Sequence, residues 1–379
     1  MQKLLIFSPF FPPHSGGLET HVYEFTKYLS KENYNIVIFT PNIPKTKEIE
    51  IINKNLKVIR YPAIELFGNP IPLLWTLKFW KLFREIIRET PDFVMSRTRF
   101  FFSTFLAFLY AKIKEIKYIH VEHGSDFLKL GSKYKDFIAK FYDLVIGRLI
   151  LTKADICISI SKSSYNFVKK FRRNKIYLIT RGLEINKIEK IKSNKEILKK
   201  FRNKIRLCFC GRLVYWKGLH NALEGFLNLE KKLRKNLVFI VIGDGPNAKI
   251  YKKKYNNPNI KFLGQLPREK ALSIIKSCNI FIHPTISGGA LSSSLLEAMC
   301  LGKAIIASPS EGANEVIFNK KTGILLKKSS PKEFEIGIKI LIKDKKLQKK
   351  LGKNAKKFAN KNFVWKDKIK QYVELFKKN

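Results

Sequence analysis

Short apolar runs alternate with longer stretches of helical periodicity in the first half of the chain. This alternation is typical of βα units, in which helices connect the parallel strands of one sheet. The predicted strands are Lys3–Phe7, Asn35–Thr40, Lys57–Tyr61, Phe93–Ser96, Lys117–Glu122, Ile156–Ile160 and Ile176–Ile179. The predicted helices begin near Gly17, Leu73, Phe102, Tyr134 and Lys162. The pattern therefore indicates one α/β domain in this half.

A second series of the same kind follows a polar, lysine-rich segment, residues 186–204, which we interpret as an interdomain linker. Its predicted strands are Ile205–Cys210, Val238–Gly243, Ile260–Leu263, Ile280–His283, Ala304–Ala307 and Gly323–Leu325. The apolar positions of residues 363–376 recur at helical spacing near the end of the chain. We therefore predict two Rossmann-like domains that face each other across a cleft. These comprise residues 1–186 and 187–360, and a C-terminal helix, residues 361–379, crosses back to the first domain.

The charge balance suggests an anionic partner without identifying it. Lys and Arg number 74 against 30 Asp and Glu, so the formal net charge at pH 7 is +44. A positive field of this size attracts nucleic acid, an acidic membrane surface or a polyanionic substrate, and a genome biased toward Lys, Ile and Asn produces the same excess. The lysines are spread over the chain without a compact basic arm, so we predict no nucleic-acid partner.

Cysteine usage and hydropathy bear on the cellular location. The five cysteines are scattered and form no CxxC pair, which favours reduced thiols in a cytoplasmic protein over disulfides or a zinc site. The most apolar segment, residues 100–111, is shorter than the roughly twenty residues that span a bilayer. Residues 75–88 and 133–151 are both basic and apolar. They are either amphipathic helices packed on a sheet or helices that attach the protein peripherally to the inner face of the cell membrane.

Candidate binding residues in the first half stand at the carboxyl ends of two predicted strands. Gly16 and Gly17 lie between a strand and a helix, where a ligand can approach the backbone and helix N–H groups attract an anion. They form no GxGxxG motif, and a structural role is an equal alternative. His123 is either a polar surface residue or a hydrogen-bond partner for a sugar hydroxyl. The neighbouring carboxylates Glu122 and Asp126 have a spacing that defines no acid–base pair.

The second half carries a stronger candidate for anion binding. Arg212 and Lys217 follow the strand Ile205–Cys210, at the end where open α/β sheets bind ligands. A guanidinium fork and a compact ammonium suit a diphosphate that gains charge as it leaves, although two solvated charges among 74 are the alternative. Gly243 lies in a glycine-rich turn that opens room for a ligand, and Leu266 lies in an apolar turn that suits a nucleobase.

A glycine- and serine-rich turn followed by a helix, within residues 281–306, is the most informative stretch. Its N–H groups and the positive end of the helix dipole suit phosphate oxygens. The turn residues predicted to bind are Leu291, Ser292 and Ser293. Glu297, in the first turns of the helix, either accepts hydrogen bonds from two ribose hydroxyls or complements the helix dipole.

In this order, these motifs resemble those of the glycosyltransferase group 1 family, which comprises retaining enzymes of the GT-B fold. The matching segments are Gly16-Gly17-Leu18-Glu19, Glu122-His123-Gly124, Gly211-Arg212 with Lys217-Gly218, and Leu295 to Met299. The resemblance implies that Arg212 and Lys217 bind the donor phosphates. It also implies that Glu297 binds the ribose and that His123, as a catalytic residue, contacts the transferred sugar.

One position departs from the family pattern. The family has two glutamates separated by seven residues, and where the second is Glu297 the first position is occupied by Gly289. Because that first glutamate faces the sugar, its loss leaves open a catalytically impaired protein that binds nucleotide sugars. An epimerase or a phosphorylase on the same scaffold is a further alternative, since a fold does not determine a reaction.

The predicted reaction requires little beyond these groups. Fixed cations and helix N–H groups stabilise a leaving diphosphate, and no DxD-like metal motif is present, so we predict neither a metal nor a cofactor. The resemblance implies a UDP- or GDP-sugar as a substrate, a glycan, lipid-linked or cell-envelope acceptor, and retention of the anomeric configuration.

Overall fold

The predicted alternation of strands and helices is present in both halves of the chain. The computed structural model describes residues 1–14, 16–66, 69–127, 133–287 and 290–378, without the side chains of Lys133 and Lys135. The chain divides into two units, residues 1–182 together with 365–379, and residues 183–364. The chain thus leaves the first unit after residue 182 rather than 186, and returns to it at 365 rather than 361.

The first unit is built on an eight-stranded sheet with the order β10-β9-β8-β7-β1-β2-β4-β3. All neighbouring strands are parallel except β3, which pairs antiparallel with β4 at one edge. A separate hairpin joins β5 to β6. The strands are β1 Gln2–Phe7, β2 Tyr34–Pro41, β3 Ile49–Asn53, β4 Leu56–Tyr61, β5 Ala63–Leu66, β6 Asn69–Pro72, β7 Phe93–Arg97, β8 Lys117–Glu122, β9 Ile156–Ser159 and β10 Ile176–Leu178.

Helices cover both faces of this sheet. The first six are α1 Gly17–Leu29, α2 Leu77–Arg88, α3 Phe102–Ile113, α4 Lys133–Tyr142, α5 Arg148–Lys153 and α6 Lys162–Lys169. A π-helical turn, Asp143–Gly147, makes α4 and α5 continuous. Side chains of β1 alternate between the two cores: Leu4 packs with α1, and Leu5 packs with α2, α3 and α5. Alternation along a strand thus supplies both faces of the sheet with apolar groups.

The second unit contains a six-stranded, fully parallel sheet with the order β13-β12-β11-β14-β15-β16. The strands are β11 Ile205–Cys210, β12 Leu237–Ile242, β13 Ile260–Phe262, β14 Ile280–His283, β15 Ala304–Ala307 and β16 Ile324–Leu325. The helices are α7 Ile185–Lys190, α8 Lys195–Lys200, α9 Leu219–Leu227, α10 Lys231–Arg234, α11 Ala248–Lys254, α12 Arg268–Ser277, α13 Ser293–Cys300, α14 Glu311–Asn314, α15 Pro331–Lys343 and α16 Lys345–Asn362. Each unit therefore has the doubly wound, Rossmann-like arrangement that the sequence predicts.

The lysine-rich segment that we interpreted as a linker is instead part of the second unit. It forms α7 and α8, and Asn194 caps α8 by accepting the N–H of Ile197 at 2.9 Å. Ile188, Ile197 and Phe201 are buried in the core of this unit. The linker prediction was wrong because these few apolar positions anchor helices whose lysines remain in water.

The last helix, α17 Trp365–Lys377, packs on α1 of the first unit and confirms the predicted crossing. Trp365 is buried, and its ring stacks on that of Tyr28 with a centroid distance of 6.0 Å. Its indole N–H donates to Glu24 Oε2 at 2.6 Å, so the polar edge of this large side chain is satisfied.

Candidate functional site

Three glycine-containing loops meet at the carboxyl edge of the second sheet. The N–H of Gly211 donates to Ile242 O at 3.0 Å, and the N–H of Gly243 donates to Gly264 O at 2.8 Å. Gly243 has φ +127°, and a Cβ there would collide with the backbone oxygen of Gly211. Any side chain larger than hydrogen would separate these loops. The predicted turn residue Gly243 therefore makes the edge compact, with Leu266 half-buried beyond it.

Arg212 and Lys217 lie on the loop that leaves β11. The side chain of Arg212 is exposed, and that of Lys217 is half-buried with its Nζ 4.6 Å from the centroid of the Trp216 ring. Neither side chain forms an ion pair with the residues that the structure describes. Burial lowers the pKa of Lys217 to about 8, and no carboxylate among the described residues compensates this ammonium.

The end of β14 forms the floor beside Lys217. His283 is buried there, and burial together with the nearby Lys217 charge lowers its pKa to about 3. The N–H of Ile286 donates to Trp216 O at 2.9 Å, which joins this strand end to the loop that carries Lys217. Gly218, with φ +66°, fits because a Cβ would collide with Pro284 O. The position of Lys217 is thus set by backbone contacts on both sides.

Glu297 lies on α13 and is nearly buried. Its Oε1 accepts hydrogen bonds from Arg268, at 2.8 Å from Nε and 2.8 Å from Nη2. Burial and the Glu297 charge raise the pKa of the Cys210 thiol at the end of β11 to about 12. Arg268, which the sequence analysis did not single out, therefore holds the carboxylate at this edge of the sheet.

The start of α13 is the predicted phosphate-facing turn. Ser292 is the N-cap, but its side chain accepts no helix N–H; its Oγ lies 3.2 Å from that of Ser294. Leu291 is buried, whereas Ser292 and Ser293 are half-buried. The first N–H groups of this helix thus donate no hydrogen bond to the N-cap side chain. Gly289, the position where the sequence departs from the family pattern, lies outside the described residues.

The glycine loop of the first unit opens α1. Gly16 is the extended N-cap residue of that helix, and Gly17 is its first residue. A Cβ at Gly16 would collide with the carboxylate of Glu19, which accepts from His14 Nδ1 at 2.5 Å. Arg181 Nη2 donates to Gly17 O at 3.3 Å. Glu19 and Arg181 therefore hold this loop, so Gly16 already has a structural reason to be glycine.

His123 follows β8 at the carboxyl edge of the first sheet. Its ring lies edge-on to that of His21, with centroids 5.1 Å apart, and Arg97 Nη1 lies 3.3 Å from His21 Nδ1. Burial, the nearby Arg97 and other surrounding charges lower the pKa of His123 well below its usual value. Burial, His123 and the neighbouring arginines do the same for the pKa of His21. Both imidazoles are therefore neutral near pH 7, and His123 can donate or accept one hydrogen bond without carrying charge.

Glu122, next to His123, has a structural partner rather than a free carboxylate. It is fully buried, and its Oε1 lies 3.1 Å from Arg99 Nη1. Burial raises the pKa of Glu122, but Arg99, His120 and the N–H of Gly124 outweigh that effect and hold it at about 2. It remains ionised at any physiological pH, so it is unsuited to proton transfer.

The buried arginines Arg97 and Arg99 are two further neighbours of the site that the sequence analysis missed. Arg97 ends the fully buried strand β7, and the centre of its guanidinium lies 4.3 Å from the Phe25 ring centroid. The sequence offered a signal for them: Arg97 ends a largely apolar strand and Arg99 follows it closely. In sheets of this kind, ligands bind at the carboxyl ends of such buried strands.

Both halves of the chain match known protein families. A family model described as glycosyl transferases group 1 matches residues 190–358, and one described as glycosyltransferase family 4 matches residues 15–187. An uncharacterized glycosyltransferase of Methanocaldococcus jannaschii is 50% identical over 385 residues, which cover 99% of this chain and 98% of the relative. This chain belongs to the group 1 glycosyltransferase family.

A more distant relative and a solved structure are also similar to this chain. An N,N'-diacetylbacillosaminyl-diphospho-undecaprenol alpha-1,3-N-acetylgalactosaminyltransferase of Campylobacter jejuni is 27% identical, over 97% of this chain and 98% of the relative. The structure of Anabaena HepE with UDP and glucose superposes with a TM-score of 0.76 at 17% identity, covering both chains completely. The glycosyltransferase described here has the GT-B fold, as predicted. Among its described residues, no helix combines the length and the apolarity needed to cross a bilayer.

Proposed function

We propose that this glycosyltransferase transfers a sugar from a UDP- or GDP-sugar to a glycan, lipid-linked or cell-envelope acceptor, with retention and without a metal. The observation that carries the proposal is the pair Arg212 and Lys217, two cations without an ion-pair partner among the described residues. Both follow β11 at the carboxyl edge of the second sheet, where β11 pairs with β14, the strand that precedes α13. An anionic ligand is the partner that such an arrangement lacks.

In the proposed reaction, the bond between the anomeric carbon and the donor phosphate breaks, and the leaving diphosphate gains negative charge. Arg212 and the ammonium of Lys217 stabilise that charge, together with the N–H groups around Leu291, Ser292 and Ser293. The acceptor hydroxyl attacks the anomeric carbon, and its proton passes to the departing phosphate oxygen. Because backbone contacts hold the loop of Lys217 before the reaction, this ammonium needs little reorganisation when the bond breaks.

The remaining predicted residues act on the nucleoside and the sugar. Glu297, held by Arg268, accepts hydrogen bonds from the ribose hydroxyls, and the base rests near Leu266 and Gly243. His123, as a neutral imidazole, hydrogen-bonds a hydroxyl of the transferred sugar, with Gly16 and Gly17 on the same unit. UDP in the HepE structure and the undecaprenol-linked substrate named for the C. jejuni relative support these classes of donor and acceptor.

A thermal-shift screen of UDP-, GDP- and ADP-sugars tests donor binding, since a ligand that binds only the folded state raises its apparent stability. Each donor that raises the melting temperature is then incubated with acceptors in EDTA, and the anomeric configuration of the product is read by NMR. Binding and transfer with retention are expected. Donor binding without transfer or hydrolysis would instead support the impaired binding protein that Gly289 suggests, and loss of transfer in EDTA would refute metal independence.

The proposed lipid-linked acceptor gains support from an exposed apolar face on the α4–α5 helix. We call this surface the lipid face; its residues are Tyr134, Phe137, Ile138, Phe141, Leu144, Val145 and Leu149. Phe137 is 69% exposed and Phe141 61% exposed, although burying such rings is favourable. They recur at helical spacing opposite the buried Ala139 and Ile150, and Lys140 and Arg148 lie exposed among them.

Charge decides which occupant we propose for the lipid face. A chain with a net charge of +44 is attracted to anionic lipid headgroups, while the aromatic rings enter the acyl boundary. Co-sedimentation with vesicles of phosphatidylglycerol and phosphatidylcholine tests this attachment. Replacing Phe137 and Phe141 with Ser should release the protein from the vesicles. Phe318→Ser, at a 43% exposed ring in the second unit, should leave binding unchanged. Equal binding by all three proteins would refute the lipid face.

A further inference from the structure

Arg99 joins two parts of the first unit that are distant in sequence. Its Nη1 lies 3.1 Å from Glu122 Oε1, at the end of β8. Its Nε lies 2.9 Å from Asp143 Oδ1 and its Nη2 lies 3.0 Å from Asp143 Oδ2, a bidentate pair on the π-helical turn that continues α4. All three side chains are buried. One guanidinium thus links the strand end before His123 with the helix that bears the lipid face.

The Glu122 end of this link determines the backbone of the loop after β8. The N–H of Gly124 donates to Glu122 Oε1 at 2.5 Å, and Arg99 Nη2 donates to Asp126 O at 2.9 Å. A Cβ at Gly124 would lie 2.6 Å from Arg99 Nη1. The loop of residues 123–126 therefore packs directly against the guanidinium, and its conformation depends on where Arg99 lies.

Side chains of β7 and β8 also hold Glu122 through a chain of hydrogen bonds. His120 Nε2 lies 3.1 Å from Glu122 Oε2, and His120 Nδ1 lies 2.9 Å from Ser96 Oγ. Ser96 Oγ lies 2.6 Å from the hydroxyl of Tyr118. This buried chain of hydrogen bonds makes the carboxylate rigid, so a movement of Arg99 is passed to the loop rather than absorbed by Glu122.

The Asp143 end lies within the helix that exposes the aromatic rings. Asp143 and Gly147 are on its buried side, and a Cβ at Gly147 would lie 3.1 Å from Asp143 Oδ1 and 3.4 Å from Arg99 Cδ. The hydroxyl of Tyr142, the residue before Asp143, donates to Arg99 O at 3.5 Å. The helix can therefore shift only if its contact with Arg99 shifts as well.

We propose that Arg99 is a positioning residue that couples the lipid face to the loop of His123, so that attachment of the helix to an anionic bilayer orders the loop. The inference rests on the proposed function for its biological meaning, because His123 is the proposed sugar contact. The coupling itself is a property of the first unit. It is reciprocal, since two elements that bias one another do so with the same free energy.

Hydrogen–deuterium exchange of the full-length protein tests the coupling without any assay of transfer. Asp143→Asn keeps the shape of the side chain and weakens the helix end of the link. It should raise the rate of amide exchange in residues 119–127 about tenfold or more, because losing a hydrogen bond to a charged group changes the opening equilibrium by at least that factor. Glu122→Gln should raise the exchange rate in residues 134–147 by a similar factor.

Arg60→Lys is the matched control. Arg60 is also buried in the first unit, but its Nη1 donates to the backbone oxygen of residue 47 and its Nη2 to that of residue 12. Its substitution costs stability without touching Arg99 or the helix that bears the lipid face, so exchange in residues 119–127 should match the wild type once global unfolding is corrected for. If Arg60→Lys and Asp143→Asn change that loop equally, Arg99 has only a structural role and the proposal is overturned.

Vesicles of phosphatidylglycerol and phosphatidylcholine supply the second arm. They should slow exchange in residues 119–127 of the wild type and leave it unchanged in Asp143→Asn, which still binds because its lipid face is intact. Slowing of equal size in both proteins would overturn the coupling. If the wild type does not sediment with vesicles, the proposed lipid attachment fails, whereas the vesicle-free exchange of both loop and helix still decides for or against the link.

Discussion

Replacing Lys217 with Met removes a charge that no described protein group balances. The side chain is half-buried beside the Trp216 ring, and burial lowers its pKa to about 8. Methionine keeps most of the apolar stem and leaves no carboxylate without a partner. We therefore expect the free energy of unfolding to be unchanged or slightly higher, because an unfavourably buried ammonium is removed.

The loss in activity follows from the contacts that the ammonium supplies to the diphosphate. A hydrogen bond to a charged group contributes about 1.5–3 kcal/mol, which corresponds to a factor of about 10–150. A donor that acts on charge developing in the transition state contributes about 100- to 1,000-fold. We expect kcat/KM for the nucleotide sugar to fall by about 100-fold or more, with a smaller increase in melting temperature on adding UDP or GDP.

Lys303→Met is a control with the opposite expectation. Lys303 is another lysine of the second unit, but its Nζ donates to Lys276 O at 2.7 Å and Cys278 O at 2.9 Å, before β14 begins. Its loss should cost about 3 kcal/mol of unfolding free energy, from two charged hydrogen bonds, and leave kcat/KM intact. Normal turnover in Lys217→Met, or a loss of stability with unchanged UDP binding, would refute the reasoning.

Three further expectations concern pH, backbone geometry and the C-terminal helix. Since Lys217 is protonated below its pKa of about 8 and neutral above it, kcat/KM should fall about tenfold per pH unit above that value, and Lys217→Met should lack this limb. Gly218→Ala and Gly264→Ala both place a side chain at positive φ, near +66° and +70°, which costs about 1–2 kcal/mol. Only Gly218→Ala also meets a backbone oxygen, so urea unfolding should show it to be less stable by a further 1–3 kcal/mol or so. Trp365→Phe removes the 2.6 Å hydrogen bond to Glu24 and should cost about 1–3 kcal/mol in the same assay; an unchanged midpoint would argue against that bond.

The sequence by itself determined the strands that run through the centre of each unit. Lys117–Glu122 in the first unit and Ile205–Cys210 and Ile280–His283 in the second were predicted with the bounds that the structure has, because a strand buried on both faces is a largely apolar run. The edge strand Ile49–Asn53 was missed, since it alternates exposed and half-buried positions and pairs antiparallel with β4. Its pairing partner, rather than its own composition, makes it a strand.

Only the tertiary structure determined the partners of the charged residues and the place of the lysine-rich segment. From the sequence, Glu122 and Asp126 were neighbouring carboxylates without an assigned role. The structure shows that Arg99, which follows another strand, lies 3.1 Å from Glu122. The sequence predicted residues 186–204 to be a linker, whereas the structure shows Ile188 and Ile197 buried in the core of the second unit. Apolar periodicity is a local property that the chain carries in its order of residues. The partner of a charge is set by which strand ends the parallel sheet brings to one edge, and that depends on the whole topology.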